Sequence, residues 1–334
     1  MFLNEFKKGA TNIHFSLIDD CNLKCAYCFE HGFFKKQKNT FENFLKTLKM
    51  FPYLRIVWFW GGEPTLNMGL MQEMLEYVEK NDKKIEFYLS TNGTNPEVLD
   101  LFDRYKCFKA IQISIDGIKE CHDLMRNNSW DSAFFVWKEA RNIASKKTGK
   151  IVMANPVICK KTLKYFVENV KFYREVLKRT YAPVMDMISS EDLENWWYSL
   201  SEQDKEFVRN HFRNMKRNLA LCMAGRSVQL VDTDGDIWMC HGAKYTRKRE
   251  NMKYWLGNLD KGIISWKATF TPKRNMLCNQ CKTNYCRVCW FQGDCKLFQT
   301  LYRLINGELP LKETNVSKFD LWQMRLDEKM EYYG

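Results

Sequence analysis

The sequence predicts an α/β fold built on a parallel sheet, followed by a small cysteine-rich module. Three observations carry this. Apolar strand patterns alternate with amphipathic helical stretches through residues 1–190, the pattern of parallel strands joined by helical crossovers. The residues of unusual type fall just after strand patterns, where parallel α/β folds gather their active sites. Seven of the 13 cysteines crowd between Cys222 and Cys295, counting both.

The predicted strands are His14–Ile18, Arg55–Trp60, Ile85–Ser90, Ala110–Ile115, Ile151–Val157 and Ala182–Ile188, each a short apolar or alternating run. The predicted helices between them are Thr40–Met50, Met68–Lys80, Pro96–Lys106, Asp131–Lys146 and Thr162–Lys178. Six such units suit an open doubly wound sheet or a partial barrel, and periodicity does not choose. A helical connection is expected over 191–221, a cysteine-rich domain over 222–300 and a helical tail over 301–334, with an amphipathic stretch at Val316–Tyr332.

Lys and Arg number 52 against 40 Asp and Glu, a net charge of +12. That favours an anionic partner such as an acidic peptide, a phosphorylated cofactor or nucleic acid, although scattered lysines such as Lys146-Lys147 read as solvated helix faces, which ranks nucleic acid low. No apolar run is long enough to span a membrane, and Met1–Lys8 has no signal-peptide core. A cytoplasmic protein is expected, and 13 cysteines without a secretory signal point to metal or redox chemistry rather than disulfides.

After the first strand comes Asp19-Asp20-Cys21-Asn22-Leu23-Lys24-Cys25-Ala26-Tyr27-Cys28. Three thiolates on one short loop can bind three corners of a cubane iron–sulfur cluster and leave the fourth iron open, whereas the closed arrangement uses four cysteines. The alternatives are a zinc knuckle short of one ligand, or thiols without metal. Gly61-Gly62-Glu63-Pro64 follow the second strand, Thr91-Asn92-Gly93 the third, and Ser114-Ile115-Asp116-Gly117 close the fourth.

Cys21-x3-Cys25-x2-Cys28, with Tyr27 before the third cysteine, resembles the signature of the radical S-adenosylmethionine superfamily. Trp60-Gly61-Gly62-Glu63-Pro64 resembles its GGEP motif. Ser114-Ile115-Asp116-Gly117 with His122-Asp123-x2-Arg126 resembles the subset that modifies peptides and proteins. The resemblance implies a partial (β/α)6 TIM-like barrel and a 4Fe–4S cluster on Cys21, Cys25 and Cys28, with S-adenosylmethionine chelating the open iron. It implies that Gly61, Gly62, Glu63 and Pro64 line the S-adenosylmethionine site, the glycines letting backbone approach the ligand and a backbone carbonyl and Glu63 accepting from the methionyl amine. Ser114 and Arg126 would meet the methionyl carboxylate, and Tyr27 the adenine.

A second resemblance, to a SPASM domain with two auxiliary 4Fe–4S clusters, rests on Cys222-x12-Gly235-x4-Cys240, then Cys278-x2-Cys281-x4-Cys286-x2-Cys289, then Cys295. The last two gaps within 278–289 are each one residue shorter than usual in that family. The interleaved family pattern would give Cys278, Cys281, Cys286 and Cys295 to the outer cluster. Cys222, Cys240 and Cys289 would hold the inner one, leaving it an open iron. Cys121 and Cys159 are candidate replacements for the absent ligand, while Cys107 looks buried on a helix. A zinc ribbon is the alternative for the C-terminal cysteines. Where relatives that make formylglycine carry an aspartate after the residue matching Cys240, this chain has His241. Its imidazole could take a catalytic proton near neutral pH or simply bond backbone in a turn.

The resemblance implies an oxidoreductase that cleaves S-adenosylmethionine, with an electron from a donor such as flavodoxin or ferredoxin, to a 5′-deoxyadenosyl radical. The radical would then crosslink, epimerise or oxidise a peptide or protein. With 20 residues before Cys21, no leader-recognition domain is expected ahead of it, so a separate leader-binding protein is a further candidate partner. The other readings are a radical enzyme acting on a small metabolite or nucleic acid, and a non-catalytic zinc or iron–sulfur module.

Overall fold

The computed structural model describes residues 10–28, 36–214, 228–239, 255–263 and 295–307. They fall into two compact units. One contains those within Met1–Ile115, His122–Asn155 and Met223–Phe270, the other those within Asp116–Cys121, Pro156–Cys222 and Thr271–Gly334.

The first unit is built on a parallel run of five strands. These are β1 (Asn12–Ile18), β2 (Ile56–Gly61), β3 (Glu86–Thr91), β4 (Phe108–Ile113) and β5 (Ile151–Ala154), each pairing with the next in parallel. This α/β architecture with a parallel core is the one expected. Alternate residues of β1 to β4 are fully buried, among them Ile13, Phe15, Val57, Phe59, Phe87, Leu89 and Ile111 at 0% exposure. Helices α1 (Phe41–Met50), α2 (Met68–Lys80), α3 (Val98–Arg104) and α5 (Trp130–Lys146) contribute Phe44, Met71, Met74, Phe102 and Val136 to this core. Phe59 stacks on Phe87 at 4.9 Å, and Phe44 meets Phe15 edge-on at 6.1 Å. Each such side chain stabilises by about 1.5–3 kcal/mol when buried. Thr40 caps α1 by accepting from the Asn43 N–H at 3.2 Å, which explains why the helix starts there.

The other face of the strands carries His14, Trp58, Trp60, Tyr88, Ser90 and Gln112, all half-buried. His14 stacks on Trp60 at 5.1 Å. Trp58 Nε1–H donates to Ser90 Oγ at 2.8 Å, and the Ser90 hydroxyl donates to Gln112 Oε1 at 2.9 Å.

Strands from late in the chain extend the sheet on the far side of β1. β8 (Val228–Val231) pairs with β1 in parallel, and β9 (Asp236–Trp238), β10 (Trp255–Asn258) and β11 (Gly262–Ile263) follow antiparallel. The β8–β9 turn holds Gly235 at φ +79°, a conformation glycine adopts without strain. Asn39 fastens this junction, its amide donating to the carbonyls of Ser16 at 2.8 Å and Asp232 at 3.2 Å.

The fifth and sixth predicted strands differ from expectation. Pro156 has no N–H for the ladder, so the run expected over Ile151–Val157 breaks into β5 and the short β6 (Val157–Ile158). β6 pairs in parallel with β7 (Val184–Met185), all that forms of the expected Ala182–Ile188 strand, in a separate two-stranded sheet of the second unit. That unit also holds α6 (Phe166–Phe172), α7 (Ser190–Ser199), α8 (Glu202–Arg213) and α9 (Cys295–Asn306). The helical stretch expected over 191–221 is, as far as residue 214, two helices. Ser189 and Ser201 cap them, accepting from the Asp192 and Asp204 amides. No helix among the described residues is long and apolar enough to cross a membrane.

Candidate functional site

The three-cysteine loop leaves the carboxyl end of β1 and is tied to three other elements of the first unit. The β2 loop comes first. The amide N–H groups of Gly62 and Glu63 donate to the carbonyls of Ile18 (3.0 Å) and Asp20 (2.8 Å). A Cβ on Gly61 would stand 2.3 Å from the Ile18 oxygen, and one on Gly62 2.0 Å from the Asp20 oxygen. The room these glycines make is therefore filled by the chain's own backbone. They let two loops lie against each other.

Glu63 is 1% exposed. Its Oε1 accepts from the Thr65 N–H (3.1 Å), the Thr65 hydroxyl (2.7 Å) and the Thr91 hydroxyl (2.7 Å), and its Oε2 from the Asn92 N–H (2.7 Å). Burial pushes its carboxyl above the usual carboxylate range, opposed by those four bonds. Glu63 thus binds the ends of β2 and β3 together, while buried Pro64 starts the short helical turn Pro64–Asn67.

From the end of β3, Asn92 reaches back to the cysteine loop. Its amide lies 3.9 Å from the Cys21 sulfur and donates to Asn22 Oδ1 at 2.8 Å. The sequence counts Thr91-Asn92-Gly93 among the strand-end loops of the expected site but gives none of the three an individual role. A strand-end asparagine with no family motif around it carries no distinctive signal.

The third tie comes from α4 (Lys119–Met125). The Ala26 N–H donates to the Met125 carbonyl at 3.0 Å, and Asn127, at φ +52°, accepts from the Lys24 N–H at 2.7 Å. Arg126 is 6% exposed, unusual for arginine. Its Nη1 lies 3.9 Å from the Cys25 sulfur, and its guanidinium sits over the Tyr27 ring at 5.2 Å. His122 and Asp123 serve the turn instead: His122 Nε2 meets Ser129 Oγ at 3.0 Å, and Asp123 accepts from the Trp130 N–H at 2.8 Å. After β4, the Ser114 N–H donates to the Thr91 carbonyl at 2.9 Å.

In the second unit Asp116 accepts from the Val157 N–H at 3.0 Å. Gly117 abuts Asn169, whose Oδ1 accepts from the Ile118 N–H at 2.9 Å. Cys121 and Cys159 are buried there, burial pushing the Cys121 thiol up to about 12 and raising that of Cys159. Both are protonated thiols at neutral pH. Cys107 lies in the turn between α3 and β4 rather than on a helix, its thiol likewise pushed up to about 12 by burial. Cys222, Cys240, His241, Cys278, Cys281, Cys286 and Cys289 lie outside the described residues, and Cys295 opens α9 with its side chain outside them.

Cys21, Cys25 and Cys28, three thiols on one loop, are a donor set that fits three irons of an iron–sulfur cluster. Among the described residues no three Cys, His, Asp or Glu side chains converge as ligands of one metal, whereas a cubane takes each thiolate at a separate iron. The donors aimed at Cys21 and Cys25 are of the kind that tune such clusters through their sulfurs.

A family model described as the radical SAM superfamily matches residues 15–180. The chain is 29% identical over 212 residues to a cysteine-type anaerobic sulfatase-maturating enzyme of Clostridium novyi (strain NT), covering 57% of this chain and 55% of that protein. It is 32% identical over 116 residues to a GTP 3',8-cyclase of Clostridium perfringens (strain SM101 / Type A), covering 32% of this chain and 35% of that one. The matches thus span about half or less of these relatives' own lengths. The solved structure of native anSMEcpe with bound AdoMet and Kp18Cys peptide has the same fold, with a TM-score of 0.58 at 18% identity and 96% of each chain covered. With its three-cysteine loop fastened to the ends of consecutive parallel strands, the chain belongs to the radical SAM superfamily.

Proposed function

We propose that this protein is a cytoplasmic radical S-adenosylmethionine oxidoreductase that modifies a side chain or backbone carbon of a peptide or protein by crosslinking, epimerisation or oxidation. The observation that carries the reading is the fastening of the Cys21–Cys28 loop to the ends of β2 and β3 and to Arg126. That fixes three thiols at the carboxyl edge of the sheet, where this family reacts. The peptide substrate is supported by the sulfatase-maturating relative and by the peptide bound to anSMEcpe.

Cys21, Cys25 and Cys28 would hold the cluster. When bound, the reduced cluster and S-adenosylmethionine together supply a carbon-centred radical able to take hydrogen from an unactivated carbon. The chain's task is to bind and orient. Ser114, whose hydroxyl makes no hydrogen bond among the described residues, is free to meet the methionyl carboxylate. Arg126 would answer the same carboxylate with a charge already held against Cys25 and Tyr27, and Tyr27 would flank the adenine. Glu63, engaged by four donors of its own chain, acts on the methionyl amine chiefly by shaping the loop that carries the Gly61 and Gly62 carbonyls. Auxiliary 4Fe–4S clusters on the C-terminal cysteines, an electron donor of the flavodoxin or ferredoxin kind and a separate leader-binding protein complete the reading.

A small-metabolite substrate is the second reading, favoured by the similarity to GTP 3',8-cyclase. The test is anaerobic reconstitution with iron and sulfide counts, then reductant and S-adenosylmethionine, with 5′-deoxyadenosine as product. About twelve irons are expected for three four-iron clusters, and C25A is expected to form no nucleoside. Full activity of C25A would sink the reading.

A further inference from the structure

At the opposite, amino ends of β2, β3 and β4 the first unit has a cavity of about 700 Å³. Arg55, Lys83, Lys106 and Lys109 line it, and none of the four has a carboxylate within ion-pair distance among the described residues. The lining also carries acids, but two are engaged: Glu79 accepts from the Cys107 N–H at 2.9 Å, and Asp82 pairs with Lys84 at 2.7 Å. Between the charges lie the apolar side chains of Ile56, Val78 and Ile85. The cations therefore outnumber the charges that answer them, around a floor able to take apolar groups.

We propose that this groove binds an acidic, partly apolar segment of the peptide substrate, at a distance from the residue that reacts. This rests on the peptide reading above. The lining favours a peptide over nucleic acid, since it also carries Glu86 and the apolar Ile56, Val78 and Ile85, which a chain with a charge on every residue cannot match, whereas a peptide can place carboxylates against the lysines and apolar groups against the floor. Strand length sets the offset. The six residues of β2, at about 3.3 Å each, put roughly 20 Å between the groove and the cysteine-loop edge. An extended peptide spans that with about six residues, so the acidic segment lies at least that far from the modified position.

The test is fluorescence anisotropy under anaerobic conditions with a fluorescein-labelled peptide of alternating Glu and Leu. An oligodeoxynucleotide of matched charge serves as competitor. Loss of three solvent-accessible ion pairs predicts binding weakened on the order of tenfold in K83E/K106E/K109E, and less in K83Q/K106Q/K109Q. Peptide-independent 5′-deoxyadenosine formation is expected to stay at the wild-type level in both. Unchanged peptide affinity in both variants overturns the proposal, as does an oligodeoxynucleotide that binds more tightly and displaces the peptide. If the wild type forms no deoxyadenosine, the enzymatic reading fails while the binding comparison still decides the groove.

Discussion

The Arg126 guanidinium lies 3.9 Å from the Cys25 sulfur although 101 residues separate the two in sequence. It also covers the Tyr27 ring, so one cation touches two residues of the cysteine loop. Removing it takes away a charge that a bound carboxylate would meet, and a hydrogen bond to a charged group contributes about 1.5–3 kcal/mol. R126A is expected to weaken S-adenosylmethionine binding by about ten- to a hundredfold, and R126K by less, because lysine keeps the charge but not the planar stack. Equilibrium binding on reconstituted protein checks this, and R126A with wild-type affinity would refute the assignment.

Gly62 and Gly69 make a matched pair. A Cβ on Gly62 would lie 2.0 Å from the Asp20 carbonyl oxygen, whereas one on Gly69 meets nothing within 4 Å. G62A must push the cysteine loop away from β2. It is expected to lose iron at the Cys21–Cys28 site while keeping the helical circular dichroism of the fold, and G69A to keep both. Equal iron in the two variants would mean that the loop contact does not position the thiols.

How far these roles are legible in the sequence varies with what each residue meets. The first four strands show as apolar alternation because one face lies under helices, and α2 shows in full because its apolar residues recur at helical spacing. Arg126 gains its expected role only through the resemblance of His122-Asp123-x2-Arg126 to a family motif, since nothing local reveals that α4 packs its end onto a loop a hundred positions earlier. The glycine pair announces a close approach but not what approaches. On the side a Cβ would occupy, what approaches Gly61 and Gly62 is the backbone of Ile18 and Asp20. β8 and β9 lie within a cysteine-rich stretch that draws attention to its thiols, although Asp234-Gly235 between two apolar runs is a hairpin signal.

Glu63 links folding to pH. Burial raises its carboxyl, so between the usual glutamate value near 4.3 and the raised one the folded chain holds a proton that the unfolded chain has lost. Its contribution to stability is thus full below the usual value and declines as pH rises through the raised one. E63Q removes this slope. It also turns an amide N–H₂ toward a donor, either the Asn92 N–H or the cluster at Oε1, at a cost of about 1–3 kcal/mol. Urea unfolding across pH measures both effects, and E63Q with wild-type stability and slope would refute this role.

In the second unit, G117A would set a Cβ 1.8 Å from Asn169 Oδ1. Asn169 is held by bonds to Ile118, Cys121 and Tyr181 and cannot swing aside freely, so a destabilisation of about 1–3 kcal/mol is expected. N169A removes the obstructing atom together with those bonds. The double variant is expected to be less destabilised than the sum of the singles, and strict additivity in thermal unfolding would mean that the two residues do not oppose each other.

The pairing of β1 with β8 joins Asn12 to Val228, which sets a schedule for the nascent chain. β1 leaves the ribosome before this second neighbour, which is synthesised 216 residues later, about ten to forty seconds at 5–20 residues per second. Throughout that interval one side of β1 shows bare amides and carbonyls, a template on which other chains can assemble. A barrel shortened before Val228 would keep that edge permanently. The late strands therefore act as the seal on the first one, and until they arrive the chain depends on whatever shields an open sheet.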